Sequence, residues 1–188
     1  MGFISQLRPL IVENLPFASD YKVEGLYRYF NMVKADLVRV EADELTYNFH
    51  IALRYELEKK LIGGQVKTSE LPSLRSEMMD SYLEVKLKDD SEGVLQDMHW
   101  SSGLFGYFPS YSLGKLLAGM IWGSMRKELE LEQLAINGNL DPIKSWLYNN
   151  FHKYGSVYTP KELARRSFGE RYNPERLIRY FELKYLGS

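Results

Sequence analysis

The chain has 188 residues, 24 basic against 25 acidic side chains and a net charge of −1, a length that fits one domain. Without a basic field or a Lys/Arg block it offers nucleic acid no electrostatic footprint. With no cysteine it forms neither disulfides nor thiolate metal sites, as expected of a cytoplasmic protein. The longest apolar run, Leu116 to Met125, is too short to span a bilayer and follows Lys115, so no membrane partner is expected.

In chain order, residues 1–18 carry Pro9 and Pro16 and read as a short helical or irregular lead-in without a signal-peptide pattern. Gly2 has Gln6 where a myristoylation site wants Ser or Thr. Asp20 is placed to cap a helix over Tyr21–Val33, with Val23, Leu26, Tyr27, Phe30 and Val33 on one packing face. Asp36 is the next cap and Gly63-Gly64 the next stop, which predicts a helix over Leu37–Ile62, about 39 Å long at 1.5 Å per residue. Leu45, Phe49, Leu53, Leu57 and Leu61 form its expected buried stripe. Arg39, Asp43, Thr46, His50 and Arg54 form a second, polar stripe, either a solvated ion-paired face or the wall of a cleft.

Thr68 or Ser69 caps a helix over Leu71–Leu83, and KLKDDS (Lys86 to Ser91) is a charged turn, with local pairing open to Val85–Leu87. Pro109-Ser110 opens a slim helix through about Leu129, rich in Gly and Ala and read as the buried centre of the domain. Asn137-Gly138-Asn139 turns the chain. Asp141-Pro142, Thr159-Pro160 and Asn173-Pro174 then start helices over Ile143–Tyr154, Lys161–Phe168 and Glu175–Tyr185. No repeat and no convincing strand pattern appears. The reading is an all-α chain, 1–188 forming a single helical domain with no second domain.

The stretch Gly93–Tyr111, GVLQDMHWSSGLFGYFPSY, holds an amide, a carboxylate, an imidazole, an indole and two phenols, interrupted by Gly103, Gly106 and Pro109. Such a loop either presents polar groups from a rigid base or plugs a helical core. Ser101, Ser102 and His99 lie close in sequence, but no nucleophile-elbow pattern surrounds them. His152, in NNFHKYG, reads as a surface or packing residue.

GVLQDMHW resembles the GxxQDxHW motif of the thermostable carboxypeptidase Taq family of zinc metallocarboxypeptidases, and GYFPSY is similar to that family's GYFPTY. Upstream, VRVEAD (Val38 to Asp43) resembles the family's IRxxAD, with Val in place of Ile. The likeness covers nearly the whole chain but only the C-terminal part of the family. It implies that Arg39 holds the substrate's C-terminal carboxylate, a task suited to a guanidinium fork, and on the cleft reading of the stripe Asp43, one helical turn on, steadies it. It also implies that His99 stabilises charge developing on the scissile carbonyl, oriented by Asp97 or Gln96, and that Tyr107 or Tyr111 hydrogen-bonds the substrate or intermediate.

A zinc or cobalt site of this family needs HExxH and HES-type motifs. His50 is followed by Ile51, His99 by Trp100 and His152 by Lys153, so none of the three histidines fits either. By the resemblance both motifs lie upstream of Met1, and no metal or other cofactor is expected in the isolated chain. The expectation is a truncated carboxypeptidase, inactive alone or half of a split enzyme, whose partners are a peptide C-terminus and an N-terminal half bearing HExxH. The alternative is a non-catalytic helical binding or oligomerisation module. In either case faces left uncovered, such as the slim helix and Tyr27/Phe30, predict a homo-oligomer.

Overall fold

A computed structural model describes residues 1–187. Among them the order is α1 (Gly2–Asn14), α2 (Val23–Phe30), α3 (Tyr47–Ile62), α4 (Leu71–Leu83), α5 (Met98–Ser101), α6 (Ser110–Met125), α7 (Leu131–Ile136), α8 (Asp141–Asn150), α9 (Pro160–Phe168) and α10 (Pro174–Phe181), followed by a π turn (Glu182–Leu186). No strand occurs among the described residues, Val85–Leu87 included, so the chain is all-α. Among the described residues no helix is long and apolar enough to cross a membrane. The chain divides into two compact units, residues 31–114 and residues 1–30 with 115–188.

In the unit of residues 31–114, α3 and α4 enclose a core of Leu53, Leu57, Leu71, Met79 and Leu83, with Val85, Leu87, Val94 and Trp100 packed on it. Helix α4 starts where the sequence places it, after Thr68–Glu70, and ends at Glu84, whose φ of 56° turns the chain out of the helix. Helix α3 starts ten residues later than predicted, at Tyr47 rather than Leu37. The cause is two short acids that hydrogen-bond nearby backbone and so compete with helix formation. Asp36 Oδ1 accepts from the amides of Leu37 (2.7 Å) and Val38 (3.4 Å). Asp43 Oδ1 accepts from the amides of Leu45 (2.8 Å) and Thr46 (2.9 Å), at the entry to α3.

The burial of α3 also departs from expectation. Leu53 and Leu57 are buried, but Leu45 and Leu61 are only partly so and Phe49 is exposed. The polar stripe is the more deeply covered of the two: Arg39, Thr46, His50 and Arg54 are all buried. A solvated ion-paired face is therefore excluded.

In the other unit, Met125, Trp146 and Phe151 form a core joined by Ile143, Leu163 and Phe168. Helix α1 is tied to α7 where the Gly2 amide donates to Glu132 Oε1 at 2.7 Å. Helix α9 has the expected start and stop, a Thr159/Glu162 capping box before Pro160 and Gly169 at φ 73°. Asn173 caps α10 by accepting from the Glu175 amide at 3.1 Å. Helix α2 is shorter than predicted, and Phe30 and Val33 are exposed while Leu26 is buried. Helix α6 ends at Met125, not Leu129, and a separate short α7 follows. Nor is α6 a buried centre: only Gly119, Met120 and Met125 are buried along it, and Leu113 is exposed.

Candidate substrate-binding site

The residues singled out by sequence converge in the unit of residues 31–114, on one face of α3. His50, Arg54 and Glu58 recur every four residues there, so they stack along a single line of the helix. Each of the last two grips the loop that carries α5. Arg54, 1% exposed, forms an ion pair with Asp97, and its Nη1 lies 3.4 Å from His99 Nδ1. Its guanidinium carbon lies 4.0 Å from the Phe108 ring centre and 5.3 Å from that of Trp100. Burial lowers its pKa, with Asp97 the chief opposing influence.

Glu58 accepts from Trp100 Nε1 at 3.0 Å through one carboxylate oxygen and from the Gly106 amide through the other. Asp97 divides its oxygens likewise. Oδ1 caps α5 by accepting from the Trp100 amide at 2.8 Å, and Oδ2 faces Arg54. The loop is thus a pinned platform rather than a mobile connection, since its turns are fastened by buried acids.

Phe108 is fully buried and serves as the hub of the site. His99 lies 5.2 Å from it, stacks on Tyr107 at 5.4 Å and 23°, and meets Tyr111 edge-on at 6.0 Å. Arg39, 8% exposed, sits over the same Phe108 ring with its guanidinium carbon 5.1 Å from the centre. No carboxylate among the described residues pairs with Arg39. Tyr107 and Tyr111 remain exposed at the edge. Burial, then Arg54 and Arg39, lower the His99 pKa against the pull of Asp97 and Glu58. Burial and the neighbouring Tyr107 and Tyr47 raise that of Tyr111.

Asp43 does not lie one helical turn from Arg39. Besides its two bonds at the entry to α3, Oδ2 accepts from the Lys34 amide (2.9 Å) and Thr46 Oγ1 (2.8 Å), so the carboxylate organises the loop around Arg39. Burial acts to raise its pKa, but the Thr46, Lys34 and Leu45 bonds prevail and lower it. Gln96 buries its Oε1 without a hydrogen-bond partner. His50 is fully buried, and burial followed by the charge of Arg75 brings its pKa to about 4, against the opposing influence of Asp36. Arg75, a lone cation among the fourfold-spaced Leu71, Met79 and Leu83 of α4, is itself lowered to about 10 by burial and the nearby Arg54. His152 is exposed.

Sequence reasoning missed Glu58, Arg75 and Phe108 as parts of the site and placed Arg54 only on the polar stripe. The fourfold spacing of His50, Arg54 and Glu58 was the available signal. The arrangement does not fit a catalytic metal. Asp97 is taken up by Arg54 and the Trp100 amide, Glu58 by Trp100 and Gly106, His50 faces guanidinium charge, and His99 Nδ1 faces Arg54. Among the described residues no group of three or more His, Asp or Glu side chains is placed to hold a metal ion.

The residues of the VRVEAD and GVLQDMHW stretches thus lie near one another around Phe108, on an all-α frame. A profile of the Carboxypeptidase Taq (M32) metallopeptidase family matches residues 1–185, and the chain belongs to that family. It is 40% identical over 185 residues to thermostable carboxypeptidase 1 of Pyrococcus furiosus, covering 98% of this chain and 37% of that protein. It is also 38% identical over 186 residues to thermostable carboxypeptidase 1 of Thermus thermophilus, covering 98% of this chain and 36% of that one. Among solved structures, the Pyrococcus furiosus carboxypeptidase superposes with a TM-score of 0.94 at 40% identity, over 98% of this chain and 37% of its own. Trypanosoma cruzi metallocarboxypeptidase 1 gives 0.93 at 37% identity, over 98% of this chain and 39% of its own. The chain therefore spans about a third of the length of the curated relatives it matches.

Proposed function

We propose that this chain supplies the substrate-holding side of a carboxypeptidase that removes C-terminal residues from peptides, with the metal ligands carried outside the described residues. Arg39 carries the reading. An arginine that is 8% exposed, lies over Phe108 and has no acid partner among the described residues is an incomplete ion pair. Leaving a buried cation unpaired costs several kcal/mol, so an arriving carboxylate completes a site that the protein leaves short of one anion. The planar fork suits a free C-terminal carboxylate held through two parallel bonds. His99, Tyr107 and Tyr111 lie around the same Phe108 platform and offer N–H and O–H donors to an oxygen gaining negative charge.

The test is a nuclear magnetic resonance titration of the 188-residue chain with an N-acetylated dipeptide and with its C-terminal amide. Saturable shifts of the Arg39 side chain are expected with the acid and not with the amide. Equal responses, or none with the acid, overturn the reading. Mixing the chain with a metal-loaded N-terminal part of a Taq-type carboxypeptidase is expected to give peptide hydrolysis above that of either part alone.

A second reading, a non-catalytic binding or oligomerisation module, rests on a different observation. In the other unit Phe17 and Tyr29 are 65% and 69% exposed and line, with Ile11, Leu15, Leu26 and Phe30, an apolar depression of about 310 Å³. Cover by a second copy or by another part of the enzyme is the usual remedy for such a patch. Light scattering distinguishes the cases: a monomer that binds no hydrophobic dye refutes self-association.

A further inference from the structure

We propose that Arg54 is a positioning residue which, anchored by Asp97, fixes His99 as the tautomer protonated on Nε2, so that the imidazole serves as a hydrogen-bond donor and not as a base. The inference rests on the substrate-holding reading for its purpose, but its geometry is independent of any peptide.

A guanidinium has only donors. Its 3.4 Å approach to His99 Nδ1 is a hydrogen bond only if that nitrogen presents its lone pair, which leaves the ring proton on Nε2. Arg54 is held on every side. Asp97 binds it, Phe108 lies 4.0 Å and Trp100 5.3 Å from its guanidinium carbon, and the residue is almost wholly buried. The sequence resemblance implies that Asp97 or Gln96 orients the histidine. Here Asp97 acts at one remove, because one oxygen caps α5 and the other faces Arg54.

The sign of the neighbour on Nδ1 decides what the imidazole does. A carboxylate there would accept a hydrogen bond from Nδ1–H and stabilise the imidazolium, so that the neutral ring carries its lone pair on Nε2 and acts as a base. A guanidinium opposes a second proton and leaves Nε2–H as a neutral donor. The charged and titratable groups near the ring are Arg54 and Arg39, which oppose protonation, Asp97 and Glu58, which favour it, and the phenols of Tyr107 and Tyr111. A neutral N–H donor is suited to a carbonyl oxygen that gains negative charge as a nucleophile adds.

The experiment uses the full chain labelled with 15N in its imidazoles. At neutral pH, His99 is expected to show a directly bonded hydrogen on Nε2 and none on Nδ1, with a titration midpoint below that of an ordinary histidine. A proton on Nδ1 in the unaltered chain overturns the proposal whatever the variants do. In Arg54→Met, with folding checked by circular dichroism, the His99 midpoint is expected to rise by about one pH unit, a tenfold gain in proton affinity. Arg54→Lys, which keeps the charge, is expected to fall between the two. An unchanged midpoint in folded Arg54→Met refutes the role. None of these signals requires a peptide, so a chain that fails to bind the acetylated dipeptide can still pass this test, and the two failures are distinguishable.

Discussion

Glu58→Gln tests whether the loop bearing His99 and Tyr107 is held in place from α3. In the parent chain one carboxylate oxygen accepts from Trp100 Nε1 at 3.0 Å and the other from the Gly106 amide, inside a site where the glutamate is buried. Glutamine keeps one acceptor but turns an NH2 group toward the second donor, whichever way the amide is flipped. One charge-assisted bond, about 1.5–3 kcal/mol, is lost, and a buried donor is left opposite another donor at about 1–3 kcal/mol. The two costs overlap, because the loop relaxes, so the expected loss of stability is about 2–4 kcal/mol. The matched control is Glu128→Gln. Its Oε2 also accepts from an indole, Trp146 Nε1 at 2.9 Å, but Glu128 is exposed and a flipped amide can still accept. That change is expected to cost less than about 1 kcal/mol. Urea unfolding followed by circular dichroism and tryptophan fluorescence measures both. Equal losses in the two variants, or a Glu58→Gln loss under about 1 kcal/mol, would refute the clamp.

Three further outcomes follow from other parts of the structure. A Cβ on Gly119 would lie 2.9 Å from the Leu177 Cα, a backbone atom that cannot swing aside, whereas one on Gly123 meets nothing within 4 Å. Gly119→Ala is therefore expected to cost about 1–3 kcal/mol and Gly123→Ala to gain about 0.5–1 kcal/mol, opposite signs on one helix in thermal melts. His50, at about 4 when folded against 6.5 as the ordinary value, binds its proton more weakly in the native state. Its contribution is complete above pH 6.5 and lost as pH falls toward 4, roughly 3 kcal/mol in all, and urea titrations of His50→Gln should show a shallower acid limb. In an assembled enzyme, Arg39→Ala is expected to weaken recognition of a free C-terminal carboxylate by about 1.5–3 kcal/mol in kcat/KM and to affect an amidated peptide far less; equal losses would make the role structural.

The helices that begin with a Pro or Thr cap and end in Gly were legible because these residues act locally. Pro160 and Gly169 bound α9 by the conformations they permit, whatever packs nearby. The start of α3 was not legible, because Asp36 and Asp43 read equally well as helix caps and as turn-makers, and only the loop they fold decides. The burial of α3 was misread for a related reason. Periodicity shows that His50 and Arg54 share a stripe, but hydrophobicity assigns polar residues to the outside unless a partner outside the helix compensates them. For Arg54 that partner is Asp97, 43 positions on in the chain, which no window on α3 contains.

The same separation explains why the motif residues and their supports were so unequally visible. His99, Asp97 and Tyr107 lie in one short segment and are recognisable together, while Arg54, Glu58 and Arg75 act on that segment from two helices and look ordinary in their own surroundings. Their cost reveals them. Arg54 and Arg75 are buried deeply enough for their pKa values to fall, and Arg39 is buried without an acid partner among the described residues. A core of leucine at these positions would be cheaper. Two guanidinium groups lie over one aromatic hub, with an acid partner among the described residues only for Arg54. This supports the anion-binding reading proposed above, and a neutral N–H at His99, as proposed, would suit an oxygen that becomes negative only during reaction.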